Sequence, residues 1–365
     1  MRGELPKYGL DLNSAQPGQI LESPYEITCD ESWRSQWQSV FPTASKLTTS
    51  VEYAKQCGFD SIPVPQAMLL NMTLCFSVEP FSQSCRLHLG LENAKQERHA
   101  AIGDTFRSFT RIDSLSNTSR GDASVIHTTH ILVNQQNERV FSLGKRSYYD
   151  PLPADFTVSP ISQADEISSL FDSPSQSLID HYCSIEEFPA SQIEPLETGR
   201  LILHPMVRPL GWSENLALST IYRNTHPIHW DSTHYRREGI VVCGGFVQTM
   251  VFATGDREVR QVLDETLVHS SHINTVTPDD GIGSISKVLE VEMISDQLQR
   301  VTLKTLGLKN VDVSKDLASL EIPDSLLEEN PLKPSEIEKI CTDQCPELAG
   351  KIAMQATRSI LRPRE

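Results

Sequence analysis

One stretch, Tyr222 to Gly255, carries most of the information about the fold: YRNTHPIHWDSTHYRREGIVVCGGFVQTMVFATG. It begins with a polar turn that contains an asparagine and several histidines. A short strand-like apolar run follows, and then an apolar, helix-like segment that opens with Gly244 and Gly245. Glycine at a helix start lets a ligand oxygen approach free backbone N–H groups, where the helix dipole favours negative charge. A histidine just upstream can exchange protons beside that oxygen. The stretch therefore predicts an acid–base site that faces a helix N-terminus.

Length and charge limit what the chain can be. A chain of 365 residues exceeds one ordinary hydrophobic core and predicts two domains. The formal net charge of −16 argues against a nucleic-acid partner, because such binding depends on Lys and Arg that neutralise phosphates. The N-terminal segment lacks the apolar core of a signal peptide, and no apolar run is long enough to span a bilayer. We therefore expect a cytoplasmic protein with no membrane partner.

Cys75 and Cys243 lie in apolar runs, where buried free thiols are expected.

The pattern of apolar residues changes twice in the same way along the chain. Ala67–Phe76 is almost continuously apolar, which predicts a buried helix, and Gly245–Thr254 predicts a second one. Segments rich in Thr, Val, Ile and Phe follow each helix and predict antiparallel strands. These segments are Gly103–Ile112, Ala123–Val133 and Arg139–Tyr149 in the first half, and Ser284–Ile294 and Arg300–Leu308 in the second. A buried helix followed by antiparallel strands is an α+β unit, and the chain contains two copies of that layout.

These units set the expected boundaries of the domains. Residues 20–150 form the first domain, and residues 151–198, rich in proline, serine and acidic residues, form a linker. Residues 199–312 form the second domain, which contains the histidine turn. Residues 313–365 are expected to be a helical extension. Its predicted helices are Pro334–Cys341 and Leu348–Leu361.

The histidine turn and the glycine pair resemble the MaoC-like hydratases and dehydratases. The motif of that family is a Gly-Asp-x-Asn-Pro-[Ile/Leu/Val]-His-x-Asp turn followed by a His-Gly helix start, and NTHPIHWD at residues 224–231 is similar to it. The chain is most similar to a two-domain subgroup, the mesaconyl-CoA hydratases or β-methylmalyl-CoA dehydratases, with a Tyr-x-Asn-Thr-x-x-x-His turn and a Gly-Gly helix start. First-half segments resemble that subgroup in the same order: AKQCGFDSIPVPQAMLL, GDTFRS, SRGDASV and NQQNERV. The resemblance covers residues 27–308. It implies a double hotdog fold, in which each of two hotdog domains has a central helix wrapped by an antiparallel β-sheet.

The resemblance implies a role for each matched residue of the second half. His229 falls on the catalytic histidine and Asn224 on the catalytic aspartate of the family. Gly245 falls on the glycine whose N–H polarises the thioester carbonyl. Because an asparagine cannot take a proton at neutral pH, His229 would carry the acid–base chemistry and Asn224 would hold the water.

The matching positions of the first half carry no such groups. Thr43 and Thr48 occupy the aspartate and histidine positions, and Gln66-Ala67 replaces the glycine step, which predicts a catalytically empty domain. Its apolar helix, which contains Met68, is expected to shape the acyl pocket and to complete the pair of domains. The alternative is that these apolar side chains are plain core.

Further residues near the turn are candidates for substrate binding: Gly244, Asp231, Arg236 and Arg237. Arginine binds carboxylates and phosphates bidentately, so the two arginines could meet a substrate carboxylate or a CoA phosphate, although a solvated loop is the commoner state of such residues. The glycines also have a structural explanation, since glycine lets a helix pack closely on a strand. The histidines and Asp231 could be interpreted as metal ligands. However, Pro227 interrupts helical phasing and no His-Glu-x-x-His pattern is present, so we expect no metal.

Together these residues predict a hydro-lyase that reversibly hydrates a short enoyl-CoA, with mesaconyl-CoA and β-methylmalyl-CoA as the candidate pair. We expect no cofactor beyond the CoA thioester itself, a small-molecule substrate as the partner, and a homodimer or higher homo-oligomer. One alternative is a dehydratase for acyl-carrier-protein thioesters in lipid or polyketide synthesis. Another is a non-catalytic hotdog module for binding or assembly, because position 224 is an asparagine and the first half lacks catalytic groups.

Overall fold

The described part of the chain forms eleven strands and ten α-helices, arranged as two similar halves. The computed structural model describes residues 3–162, 166–188 and 195–364. The strands are β1 (Ile20–Glu22), β2 (Ile27–Thr28), β3 (Leu87–Gln96), β4 (Thr105–Asn117), β5 (Ser124–Val133), β6 (Arg139–Tyr149), β7 (Leu201–Pro209), β8 (Asp264–His272), β9 (Gly281–Met293), β10 (Leu298–Lys309) and β11 (Ile352–Pro363). The helices are α1 (Glu31–Val40), α2 (Lys46–Thr49), α3 (Val51–Gln56), α4 (Gln66–Phe76), α5 (Glu166–Asp172), α6 (Ile179–Cys183), α7 (Trp212–Ile221), α8 (Ser232–Tyr235), α9 (Gly244–Val259) and α10 (Pro334–Gln344).

The strands form one antiparallel sheet that runs through both halves. Its order is β1-β4-β5-β6-β3-β8-β11-β10-β9-β7, and β2 pairs with β4. Strands β3 and β8 join the halves, with Leu91 opposite Ser270 and Lys95 opposite Thr266. Helix α4 packs against β3, β4, β5 and β6, and helix α9 packs against β7, β9 and β10. Each half is therefore a central helix on an antiparallel sheet, as the repeated α+β pattern predicts.

The two central helices are buried because they lie inside this arrangement. Nine of the eleven residues of α4 are buried, as are twelve of the sixteen residues of α9. A helix that is apolar on all sides belongs in the interior of a protein. The two helices also contact each other, so the interior of the molecule is shared by the halves.

The C-terminal segment differs most from the sequence-based expectation. Helix α10 confirms the predicted helix at Pro334–Cys341, but the predicted helix at Leu348–Leu361 is wrong, because Ile352–Pro363 is strand β11 between β8 and β10. All but one of its residues are buried. The sequence IAMQATRSILRP does not alternate as a half-exposed strand would, because polar residues such as Gln355 and Arg362 are buried in it as well, and it contains helix-forming residues such as alanine and methionine. Residues 313–365 are therefore not a helical extension, since their last strand completes the second half.

The order of strands after each helix is the same in both halves. Strands β3, β4, β5 and β6 follow α4, and β8, β9, β10 and β11 follow α9, with residues 310–351 inserted before the last strand. The sequence did not predict β3 and β8, whose segments LHLGLENAKQ and DETLVHSSH contain many polar residues. These two strands form the seam between the halves.

Two smaller expectations concern the linker and the thiols. The linker contains the short helices α5 and α6, and the hydroxyl of Tyr182 in α6 donates a hydrogen bond to the Leu263 carbonyl at 2.7 Å. All eight cysteines are free, and Cys75 and Cys243 are buried, as predicted. Among the residues that the structure describes, no helix is both long and apolar enough to cross a membrane.

Candidate active site

A cavity of about 510 Å³ lies where the two halves meet, and the histidine turn lines it. The second half contributes Asn224, His226, His229, Cys243, Gly244, Gly245 and His272 to its wall. The first half contributes Leu74 and Cys75 from α4, His88 from β3 and Lys145 from β6. We call this space the His229 cavity. The structure thus brings together the predicted histidine, asparagine and glycines, and it closes the space around them with side chains from the other half.

The hydrogen bonds of His229 fix which of its ring nitrogens can act as a base. Its Nδ1 lies 2.9 Å from the carbonyl oxygen of Val241. A carbonyl only accepts, so Nδ1 carries the proton and Nε2 keeps a free lone pair. Burial lowers the pKa of His229 to about 4, opposed by the bond to Val241 and assisted by His226. At neutral pH the ring is therefore uncharged and able to accept a proton.

Two contacts hold the histidine turn in place. The side-chain amide of Asn215 in α7 donates to the His229 carbonyl at 2.7 Å, and the Val241 N–H donates to the Ile228 carbonyl at 3.1 Å. Asn215 is fully buried. We infer that Asn215 is a positioning residue, which the sequence analysis missed. No clear signal in the sequence marked it, because Asn215 directly follows the polar residues Ser213 and Glu214 in α7.

Asn224 is buried beside His229 with its amide oriented by neighbours. Its Oδ1 accepts a hydrogen bond from the His226 N–H at 3.2 Å, and its Nδ2 lies 3.8 Å from the sulfur of Cys75. An amide can donate to and accept from a water molecule but cannot remove its proton. The arrangement suits a group that orients water.

Gly244 and Gly245 are the first two residues of α9. The N–H groups of Phe246 and Val247 donate to the Cys243 carbonyl, while the N–H groups at the start of a helix lack partners within it. A Cβ at position 244 would lie 2.5 Å from His272 Nε2, and one at position 245 would collide with Asn71 Oδ1 of α4. The glycines therefore permit close packing and also present helix N–H groups at the cavity wall.

Four predicted binding residues lie elsewhere. Asp231 caps α8 by accepting hydrogen bonds from the N–H groups of Thr233 and His234, and it does not line the His229 cavity. Arg236 and Arg237 are exposed and also lie outside the cavity wall, with the Arg237 guanidinium 5.2 Å from the Trp212 ring. Met68 is fully buried core and lines neither this cavity nor the smaller one described below.

Helix α4 contributes to the wall of the His229 cavity about two helical turns after Met68. Leu74 and Cys75 line the cavity, because the C-terminal end of α4 faces the start of α9. The Cys75 thiol lowers the pKa of the neighbouring Cys243 thiol, while burial raises the pKa of Cys75. The N–H groups of Gly245 and Phe246 act in the same direction on Cys243. This thiol pair next to the glycines was not predicted.

A smaller cavity of about 130 Å³ occupies the corresponding place in the first half. Thr43, Thr48, Gln66 and Ala67 line it, which are the positions matched to the catalytic motif. Two of its three acidic side chains are engaged in the fold: Asp256 Oδ2 accepts from Thr43 Oγ1 and from the N–H groups of Ala44 and Ser45 at 2.5–2.9 Å, and Glu265 pairs with Arg358 at 2.5 Å. The third, Asp264, has a buried Oδ1 with no hydrogen-bond partner among the described residues, and burial raises its pKa to about 6. We call this space the Arg358 cavity. The absence of catalytic groups from the first half remains a prediction.

Comparison with known proteins gives similarities in sequence and in fold. The chain is 24% identical to the mesaconyl-CoA hydratase of Cereibacter sphaeroides over 289 residues, which cover 76% of this chain and 83% of that protein. A MaoC domain protein of Chloroflexus aurantiacus, provisionally named a dehydratase, superposes with a TM-score of 0.74 at 17% identity and 98% coverage of both chains. A Mycobacterium tuberculosis protein with a double hotdog fold superposes with a TM-score of 0.68 at 14% identity, over 97% of this chain and 98% of that one. No family model matches the chain.

These similarities confirm the double hotdog fold and the resemblance to MaoC-like proteins. They support a hydratase or dehydratase of the MaoC type as the class of activity.

Proposed function

We propose, from the double hotdog fold and the contents of the His229 cavity, that the chain reversibly hydrates a short enoyl-CoA thioester. Mesaconyl-CoA and β-methylmalyl-CoA are the candidate pair. The observation that carries the proposal is the meeting of three groups at one cavity: a neutral histidine with a free Nε2, an amide that can orient water, and the glycine start of a buried helix. Hydration of an unsaturated thioester requires these functions together.

His229 can serve as the base and then as the acid. Its Nε2 takes a proton from the water while the water oxygen forms a bond to the β-carbon, and the electron pair of the double bond moves onto the thioester as an enolate. The resulting imidazolium returns the proton to the α-carbon, so the net change is addition of one water. One acid–base group suffices, because the proton that His229 takes from the water is the one that it returns to the α-carbon; Asn224, an amide, takes no part in this transfer.

The start of α9 would stabilise the enolate oxygen. The Gly245 N–H and the helix dipole favour negative charge at this point, and the apolar wall excludes bulk water, which strengthens that electrostatic effect. Asn224 would hold the attacking water next to His229 through its buried amide. In this proposal the start of α9 stabilises the negative charge of the enolate, and the histidine turn transfers the proton.

A panel of enoyl thioesters tests the proposal directly. We expect the purified protein to hydrate at least one of crotonyl-CoA, mesaconyl-CoA and itaconyl-CoA, as measured by loss of the enoyl absorbance. Longer enoyl-CoA thioesters and crotonyl-acyl-carrier protein belong in the same panel. Preferential turnover of the carrier-protein thioester would favour the dehydratase of lipid or polyketide synthesis. Binding of CoA esters without any hydration would favour a non-catalytic module.

The pH dependence of kcat/KM tests the identity of the base. Burial lowers the pKa of His229 to about 4, so the ring is a competent base from neutral pH down to that region. Activity should therefore be flat between pH 6 and 8 and fall only as the pH decreases through the region near 4, since a protonated ring cannot take the proton of water. Circular dichroism at each pH separates loss of activity from unfolding. Half-maximal activity at the ordinary histidine pKa would contradict the assignment.

A further inference from the structure

A buried lysine of the first half lines the His229 cavity without a carboxylate partner. Lys145 is 6% exposed and lies on the inward face of β6, in alternation with Leu143 and Ser147. No aspartate or glutamate forms an ion pair with it among the described residues. A buried ammonium group without an anion is costly, so its presence in a ligand cavity needs an explanation.

The groups around Lys145 are rings and thiols. Its Nζ lies 5.6 Å from the centre of the Phe81 ring. Burial lowers the pKa of three imidazoles in its surroundings, and the charge of Lys145 lowers each of them further: His88, His130 and His226. Its charge also acts on three thiols: Cys75, Cys85 and Cys243. Neutral imidazoles and thiols do not compensate a full positive charge, and burial accordingly lowers the pKa of Lys145.

The Arg358 cavity provides a comparison, because the buried cation there has an ion-pair partner within the protein. Arg358 lies on β11, the fourth strand after its helix, just as Lys145 lies on β6, the fourth strand after α4. Arg358 lines its own cavity, but Glu265 of the neighbouring strand β8 pairs with it at 2.5 Å. The cavity with the internal ion pair is the one without the catalytic motif. The His229 cavity, whose cation Lys145 has no ion-pair partner among the described residues, is the one that contains the catalytic motif.

We propose that Lys145 is the residue that binds the free carboxylate of the acyl group and thereby selects a dicarboxylic monothioester over a monocarboxylic one. The inference rests on the proposed function, because it assigns a specificity-determining residue to that same site. Lys145 lines the same cavity as His226 of the histidine turn and Cys243 next to the glycines. A carboxylate on Lys145 would thus lie close to the reacting carbons, as in a diacid of about four carbons.

Turnover of two matched thioesters gives the first test. Fumaryl-CoA and crotonyl-CoA differ only in a carboxylate that replaces a methyl group. The protein should prefer fumaryl-CoA in kcat/KM, and Lys145→Met should reduce turnover of fumaryl-CoA on the order of 10²-fold, as for loss of one partner of a buried charge pair, while retaining turnover of crotonyl-CoA. Lys145→Arg keeps the charge and should restore part of the preference. Equal losses for both thioesters would overturn the inference and indicate a structural role.

Binding of unreactive thioesters separates this inference from the proposed function. Succinyl-CoA and butyryl-CoA differ in the same way and have no double bond, so calorimetry measures recognition alone. We expect tighter binding of succinyl-CoA, lost in Lys145→Met and kept in Lys304→Met. The latter is a matched control, because Lys304 is a fully buried lysine of β10 that does not line the His229 cavity. Succinyl-CoA that binds no tighter than butyryl-CoA would overturn the role of Lys145 whether or not hydration occurs. Absence of hydration with the binding preference intact would overturn only the proposed reaction.

Discussion

Replacing His229 with glutamine is expected to lower kcat of hydration by about 10²- to 10⁴-fold, the range that general acid–base groups contribute. Glutamine fills part of the same space, but it cannot take a proton from water or return one to the α-carbon. Asn224 cannot take over the proton transfer, because an amide offers no second base. KM should change little, since the thioester contacts at the start of α9 remain. Initial rates on the best thioester of the panel measure the effect.

A nearby histidine provides the control for this substitution. His234 belongs to the same polar turn, but it is exposed, lies outside the His229 cavity and meets the Tyr235 ring edge to face with ring centres 4.7 Å apart. His234→Gln should retain nearly full activity. If His229→Gln kept activity within tenfold of the unmodified protein, the acid–base role would have to be given to another group, and His226 would be the first to examine because it lines the same cavity.

The catalytic candidates could be found from the sequence because they are close together in the chain. Asn224, His229 and Gly245 lie within one turn, one short extended segment and one helix start, so their geometry depends mainly on local structure. Asp231 was misassigned for the same reason. It matches the motif by position, but its carboxylate caps α8, a role that a polar turn supports equally well.

The first-half wall of the cavity could not be read from local patterns. Helix α4 is buried on nearly all sides, so its sequence does not show which face meets the other half, and Met68 was chosen where Leu74 and Cys75 line the cavity. Lys145 did leave a signal. The alternation of Arg139–Tyr149 places it with Leu143 and Ser147 on the inward face, where a lysine is rare without a partner.

The repeated layout also contained information about the C-terminal strand. Four strands follow the central helix of the first half, although only three of them were predicted, and the second half showed two before its tail. A further strand was therefore needed to complete the second sheet, and Ile352–Pro363 supplies it. The helical interpretation followed residue propensity, whereas tertiary pairing with β8 and β10 decided the structure.

Removal of residues 351–365 is expected to abolish folding of the whole chain. Strand β11 pairs with β10 from Leu298–Pro363 to Leu308–Ile352 and with β8 from Asp264 to His272, so its loss would leave two unpaired strands in the middle of the sheet. Four large apolar side chains would also lose their burial: Ile352, Met354, Ile360 and Leu361. At about 2 kcal/mol each, they account for a stabilisation similar to the entire free energy of unfolding of a typical domain, about 5–15 kcal/mol.

Solubility and cooperative thermal unfolding measure this outcome, with an N-terminal truncation as the control. Residues 3–7 are exposed and form no strand, so a chain that begins at Tyr8 should keep its melting temperature and its solubility. A chain that ends at Gly350 should be insoluble or lack a cooperative transition, and the peptide 351–365 supplied in trans should rescue it in part, because the missing ladder can form between separate chains. A truncated chain that still unfolded cooperatively would mean that β8 and β10 can close the sheet without β11. The second half would then be a complete domain before residue 351, and the His229 cavity, which β8 borders through His272, would not depend on the C-terminal strand.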